Sequence, residues 1–296
     1  MTDRSSSRPD RGSAILIRVI VFLSLRVGRP IGRALLYPIS LYFIAFAPAA
    51  RQASIQYLTI VLGRRPAWSE VFRHFHVHAG VLLDRFFLLT RGTQGFELEV
   101  HGLDIIEEQK RRQQGCVLLG SHLGSFDVLR CLAAEQKVAV KAMMDVDISR
   151  KFNSILESVD KSFSDSIIPL GTPTSLIAAG QFVRRGGFVA LLGDRAIGGD
   201  KLIDVSFFGR SARLPVGPLM LAATLKVPVI FFCGLFVRDR VYRIHFEQCP
   251  EPPAGNARSL SDTDMRRWVQ DYADRLERHC RRSPYNWFNF YDFWAH

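Results

Sequence analysis

Two spacings of apolar residues recur along this chain. Short apolar runs bounded by Gly, Pro or polar residues read as strands: "FELEVHG", "GCVLLG", "VAVKAMM", "SIIPLG", "GFVALLG" and "VPVIFFCGLFV". The last turns through "RDR" into "VYRIHFE", whose alternation suits a hairpin partner. Between these runs, helical spacing appears near Asp104–Arg112, Ser125–Ala134, Ser149–Ser162, Ser175–Arg184, Pro215–Leu225 and Asp262–Arg282. Upstream, "IQYLTIVLG" and "AWSEVFRHFHVHAGVLLDRFFLLTRG" are helical in pattern, the latter with Phe72, Phe75, Ala79, Leu82, Leu83 and Phe86 on one face. Regular strand–helix alternation predicts an α/β fold: a mostly parallel central sheet of about seven strands, covered by helices, with an antiparallel edge near the end.

The first 50 residues follow neither pattern. Residues 1–13 are Ser-rich, polar and basic, a composition that predicts disorder. Two apolar blocks follow in residues 14–50: Ala14–Leu25, interrupted by Arg18, and Ala34–Ala50, which carries no charge over 17 residues. As a helix the second block would extend roughly 26 Å, against ~30 Å for a bilayer's hydrocarbon core, and it contains Pro38 and Pro48. Arg26, Arg29 and Arg33 separate the blocks, and Arg51, Arg64 and Arg65 follow them, so the basic residues give no clean orientation for a crossing. The preferred expectation is a helix lying in, or dipping into, the cytoplasmic leaflet. A buried core helix and a single crossing both stay open.

Composition narrows the partners. The chain has 296 residues, 48% of them hydrophobic, enough for one sizeable domain. Lys and Arg number 39 against 28 Asp and Glu, a net charge of +11 that favours acidic partners. An Arg-rich chain with 22 Phe suits an anionic membrane surface better than nucleic acid, which is excluded from the reading. Five scattered Cys with no C-x-x-C pair read as reduced thiols and favour a cytoplasmic catalytic domain.

The stretch "GSHLGSFDVLR" holds the candidate chemistry. His122 falls in the connection between a strand and a helix, the crevice where open α/β sheets collect ligands. Gly120 and Gly124 allow a tight turn, and Asp127 falls in the helix's first turn, where the dipole favours a carboxylate. A carboxylate on Nδ1 of His122 would fix the tautomer and leave Nε2 to take a proton. On these residues alone, a helix-capping Asp127 beside a plain loop histidine is an equal alternative.

The ordered set "SHLGSFD", "GGFVALLGDR", "VSFFGRSARLPVGPLMLAATLKVPVI" and the terminal "NWFNFYDFW" resembles the late acyltransferases of lipid A biosynthesis, within the wider lysophospholipid-acyltransferase superfamily. The resemblance spans most of the chain, with residues 51–296 as the acyltransferase domain. It implies transfer of a fatty acyl group from acyl carrier protein or coenzyme A to a hydroxyl of a membrane lipid, a lipid A precursor or another glycolipid, at the bacterial inner membrane. His122 would be the general base, Asp127 its orienter, and no metal or other cofactor is needed. Asp194 and Arg195, with Lys141 as competitor, are candidates for substrate or oxyanion binding. Phe207 and Phe208 would line an acyl groove, Gly209 make the turn, and Arg210 and Arg213 grip an anion. The chain departs from its relatives in reading Asp194-Arg195 where many have Asp-Gln or Asp-Glu, and "KAMMDVD" where Arg-Pro is common. These departures leave the acceptor open, an aminolipid or pigment-type lipid included. A non-catalytic lipid-binding protein and a hydrolase of the same fold are the rival readings.

Two further features carry less. His74, His76 and His78 lack the Glu of H-E-x-x-H, so a border on the membrane-proximal surface is the expectation rather than a metal site. The aromatic tail "YNWFNFYDFW" fits membrane contact and core sealing equally.

Overall fold

The computed structural model describes residues 14–145, 150–160, 163–171, 173–196, 199–251 and 260–295. Residues 1–13, expected to be disordered, lie outside them. The strands are β1 (Glu97–His101), β2 (Cys116–Gly120), β3 (Val140–Met144), β4 (Ile167–Pro169), β5 (Phe188–Leu192), β6 (Leu202–Phe207), β7 (Arg210–Pro215), β8 (Val229–Arg238) and β9 (Val241–Gln248). Helices α1 (Ala14–Val27), α2 (Arg29–Phe46), α3 (Pro48–Leu62) and α4 (Trp68–Arg91) precede the sheet; α5 (Leu103–Arg111), α6 (Phe126–Glu135), α7 (Arg150–Val159), α8 (Pro173–Arg184), α9 (Gly217–Leu225) and α10 (Asp262–Arg282) alternate with its strands.

Seven strands form the main sheet in the order β1-β9-β8-β2-β5-β3-β4. The α/β expectation holds, with β2 at the centre, parallel to β5 and β8. The antiparallel pair is β8–β9, and it lies one strand inside the edge, because β1 adds outside β9 in parallel. Every residue of β2 is buried. Val117 and Leu119 point into one core layer with α3, α9 and α10, while Cys116 and Leu118 point into the other with α5 and α6. A strand covered on both faces reads as an unbroken apolar run, as "CVLL" does. Full burial of each such side chain stabilises the fold by about 1.5–3 kcal/mol.

The apolar block Ala34–Ala50 is not one straight helix. Pro48 starts α3 at a break after Ala47, and α2 and α3 meet at 97°. Among the described residues no single helix is long and apolar enough to cross a membrane, although the bent pair passes by length and composition. Phe22, Leu41, Tyr42 and Phe46 of α1 and α2 are more than half exposed. The inner side of α2 is fastened to the body: buried Arg29 pairs with buried Asp84 of α4 at 2.6 Å, and the Tyr242 hydroxyl of β9 donates to Asp84 at 2.8 Å.

Contact with α2 on one side and the sheet on the other leaves α4 buried around more of its circumference than one stripe. Phe75, Leu83 and Phe86 are buried as the spacing predicts, while Phe72, Ala79 and Leu82 are only partly covered and Val77, Val81 and His74 are buried as well.

Candidate active site

The chain leaves β2 at Gly120 and re-enters a helix at Phe126, and the loop between them presses against β8. Gly124 has φ +76°, its N–H donates to Asn286 O at 2.8 Å, and Ser125 N–H donates to Gly234 O at 2.7 Å. A Cβ on Gly124 would collide with the Gly234 carbonyl, and one on Gly234 with the Ser125 carbonyl, so both positions need glycine for the strand and loop to touch.

This contact places His122 beside the end of β5. Its Nδ1 lies 2.9 Å from Asp194 Oδ1, and its backbone N–H also donates to the Asp194 carboxylate, at 3.0 Å to Oδ2. Trp287 Nε1–H donates to Asp194 Oδ2 at 3.0 Å. Burial acts to raise the pKa of Asp194, but the His122 imidazole, the Arg195 charge and the Trp287 N–H outweigh it and hold the carboxyl down at about 2. An ionised carboxylate only accepts, so Nδ1 of His122 carries the hydrogen and Nε2 holds the lone pair. The His122 side chain keeps 33% of its surface exposed, which leaves this imidazole reachable. Burial and the positive charge of Arg195 lower the His122 pKa, while Asp194 opposes them.

Asp127, predicted to hold the imidazole, is elsewhere. It sits in the first turn of α6 and turns towards α4, where its carboxylate meets Arg85 at 3.0 Å. The predicted His122–Asp127 contact is therefore not made. The orienting carboxylate comes from the neighbouring strand, 72 residues on.

Arg195 follows Asp194 directly. Its Nη2 donates to Phe288 O at 2.8 Å, its guanidinium lies 5.4 Å from the Tyr291 ring centroid, and its Nε is buried with no partner among the described residues. Phe288 in turn donates its N–H to His122 O at 2.8 Å. The aromatic tail thus seals the core and walls the site, with Trp287 fully buried and Phe288 and Phe293 under 10% exposed.

A model of the family described as bacterial lipid A biosynthesis acyltransferase matches residues 29–295. The chain belongs to that family. No curated protein matches it. This lipid A acyltransferase homologue is thus an acyltransferase, with an acyl donor and a lipid acceptor as its substrates.

The remaining predicted site residues of this acyltransferase are spread more widely. Lys141 lies in β3 level with Val189, and so with Val117 of β2. That is five residues before His122, about 16 Å along the strand direction at ~3.3 Å per residue. Its ammonium sits 5.5 Å from the Phe182 ring, so Lys141 is not an oxyanion donor for a reaction at His122. Phe207 ends β6 and pairs with Arg210 of β7 in a two-residue hairpin, in which Phe208 (φ 55°) and Gly209 (φ 71°) both take the left-handed conformation. Gly209 does make the turn. Phe207 and Phe208 are buried among Trp287, Tyr57 and Trp294 and line a closed aromatic core instead of a groove. Phe208 is held in its unusual conformation by an N–H bond to Glu277 and by the Arg281 guanidinium 4.8 Å from its ring. Arg210 and Arg213 are both exposed, and their spacing of three along β7 sets them on opposite faces of the hairpin.

Of the three clustered histidines of this acyltransferase, His74 is buried inside it, while His76 and His78 are partly covered. His74 is fully buried, with Nε2 2.8 Å from Trp287 O and Nδ1 2.9 Å from Ser54 Oγ. The His78 ring packs 4.6 Å from Phe288, and His76 stacks on Phe72 and lies tilted against Tyr37 of α2. Neither Trp287 nor His78 carried a sequence signal for a place near His122, since each reaches it from a distant segment.

Proposed function

We propose that this protein is a membrane-bound O-acyltransferase in which His122 acts as general base. The acceptor hydroxyl gives its proton to Nε2 as its oxygen attacks the carbonyl carbon of an acyl thioester. A C–O bond forms, the carbonyl oxygen carries the negative charge, and the C–S bond then breaks while imidazolium returns the proton to the departing thiolate. Asp194 holds the imidazole and steadies its charged form, and Arg195 faces the charge on the oxyanion. No covalent acyl-enzyme is required. The observation that carries the reading is the carboxylate-held, partly exposed imidazole with a guanidinium beside it.

The donor in this reading is the thioester of acyl carrier protein or coenzyme A, and the acceptor a lipid A precursor or a related glycolipid. A net charge of +11 supports both an acidic donor and an anionic bilayer surface. The exposed apolar side chains of α1 and α2 support docking in the cytoplasmic leaflet, with the sheet on the cytoplasmic side. Purified protein, given acyl carrier protein thioester and a lipid A precursor in vesicles, is expected to yield a product heavier by one acyl chain in mass spectrometry. Release of free fatty acid at the same rate with and without the lipid would show a hydrolase instead, and an unconsumed thioester would remove the reading altogether.

Arg195 gives a pH test. Replacing a charged oxyanion donor costs about 10²-fold in kcat. Arg195→Met also removes a positive neighbour that lowers the His122 pKa, so that pKa rises and less neutral base remains at a given acidic pH. The acid limb of kcat/KM is therefore expected at higher pH than in the wild type. A limb that stays in place or moves down would remove Arg195 from the site.

A further inference from the structure

Helix α4 carries two histidines one turn apart whose surroundings differ in a telling way. Both nitrogens of His74 are matched, one to Ser54 Oγ and one to Trp287 O, as befits a histidine that fastens the tail to the helix. His78 has no such pair. Its Nδ1 is buried without a partner among the described residues, and its ring is wedged between Phe288 at 4.6 Å and Phe290 at 5.1 Å. A phenyl ring would fill that space without the destabilising burial of an unpaired nitrogen. An unmatched buried nitrogen calls for a reason, and a substrate group present only in the working complex supplies one.

Its neighbours say what that group is. Phe288 is the hub: its ring carries His78, its carbonyl accepts from Arg195 Nη2, and its N–H donates to the His122 carbonyl. Arg195 brings a second buried, unpartnered polar atom, its Nε, to the same hub. The two unmatched groups belong to residues that both touch Phe288, whose N–H holds the His122 carbonyl, and Nε of Arg195 is necessarily a hydrogen donor. Burial, His74, and the charges of Arg195 and His122 together press the His78 pKa down to about 3. His78 therefore stays uncharged at neutral pH, carries one N–H, and does not compete with His122 for the proton.

We propose that His78 is a substrate-contacting residue of the transfer reaction, donating a hydrogen bond to the thioester carbonyl oxygen as that oxygen becomes the oxyanion, in partnership with Arg195. The inference rests on the acyl-transfer reading above. It also gives α4 a double role, since the helix grips α2 through Asp84 and reaches the reacting carbonyl through His78.

The test compares purified wild type, His78→Phe and His78→Asn with a thioester donor and lipid acceptor. His78→Phe keeps the ring and removes the donor. It is expected to melt at or above the wild-type temperature, lose about 10²-fold in kcat, keep its KM for the thioester within about threefold, and leave the acid limb set by His122 in place. His78→Asn restores an N–H and is expected to recover most of that loss. A His78→Phe enzyme with wild-type kcat, or a His78→Asn enzyme as slow as the phenylalanine variant, would overturn the proposal. If His78→Phe does not fold, His78→Gln and His78→Leu give the same contrast of donor against no donor. Wild-type turnover in these assays separates the two ideas: turnover with a full-rate His78→Phe sinks this inference alone, whereas no turnover by the wild type removes the acyl-transfer reading beneath it.

Discussion

Asp194→Asn is expected to lower kcat for acyl transfer by about 10³- to 10⁴-fold per folded molecule, approaching the loss in His122→Ala, and to cost about 1.5–3 kcal/mol in urea unfolding. Three N–H donors converge on the Asp194 carboxylate, from the His122 backbone, His122 Nδ1 and Trp287 Nε1. Asparagine offers one acceptor oxygen in place of two and turns an N–H donor towards one of them. The imidazole then loses either its tautomer or its orientation. The carboxylate also raises the His122 pKa, so its removal moves the acid limb of kcat/KM to lower pH, opposite in sign to Arg195→Met. Asp127→Asn is the control. It breaks a largely buried pair with Arg85, so it is expected to cost about 1–3 kcal/mol in urea unfolding while each folded molecule keeps its rate within a few fold. A folded Asp127→Asn protein without activity, beside an active Asp194→Asn, would return the orienting role to the motif's own carboxylate.

That contrast marks where the chain is readable and where it is not. The turn from β2 into α6 is written in adjacent residues: an apolar run, Gly120 and Gly124, then a helical pattern, so the place of His122 was legible. The partner of His122 was not, because it depends on which strand lies next to β2. That strand is β5, and Asp194 lies two residues beyond its end. Asp194 stood among the candidates as a substrate contact, since the Gly-Asp at a strand's carboxyl end is a local signal, but its role comes from sheet order. The hairpin β6–β7 was seen only as a Phe-Phe-Gly block, because Phe208 in a left-handed turn conformation runs against the preference of bulky residues. The apolar block Ala34–Ala50 read as one helix, and the 97° bend beside Pro48 divides it. His78 and Trp287 approach the site from α4 and from the last turns of the chain, which neither period nor motif brings together.

Trp287→Ala is expected to cost about 3–5 kcal/mol in urea or thermal unfolding, the largest stability loss of any single change near the site. The indole is fully buried, with its ring centroid 4.9 Å from Tyr57, 5.0 Å from Phe293 and 5.4 Å from Phe207, and Leu123 bridges to its backbone. Alanine leaves a cavity under the β2–α6 loop and strips one of the donors from Asp194. Trp287→Phe separates these effects: most of the ring volume stays while the N–H goes. Its stability loss is expected at about 1.5–3 kcal/mol, the range for a hydrogen bond to a charged group, with transfer slowed because the carboxylate is less firmly aimed at Nδ1. Unfolding curves and initial rates on the same samples decide the matter. If Trp287 serves the site as well as the core, the phenylalanine variant is slow even where it is fully folded; wild-type rates there would leave the tail a purely structural seal. If Trp287 serves the site, a carboxylate fixed by a residue 93 positions later also makes this C-terminal segment a condition for activity. In the proposed mechanism the base is not aligned until β2, β5 and the tail have met, which makes folding of the C-terminal segment and assembly of the reaction centre one event.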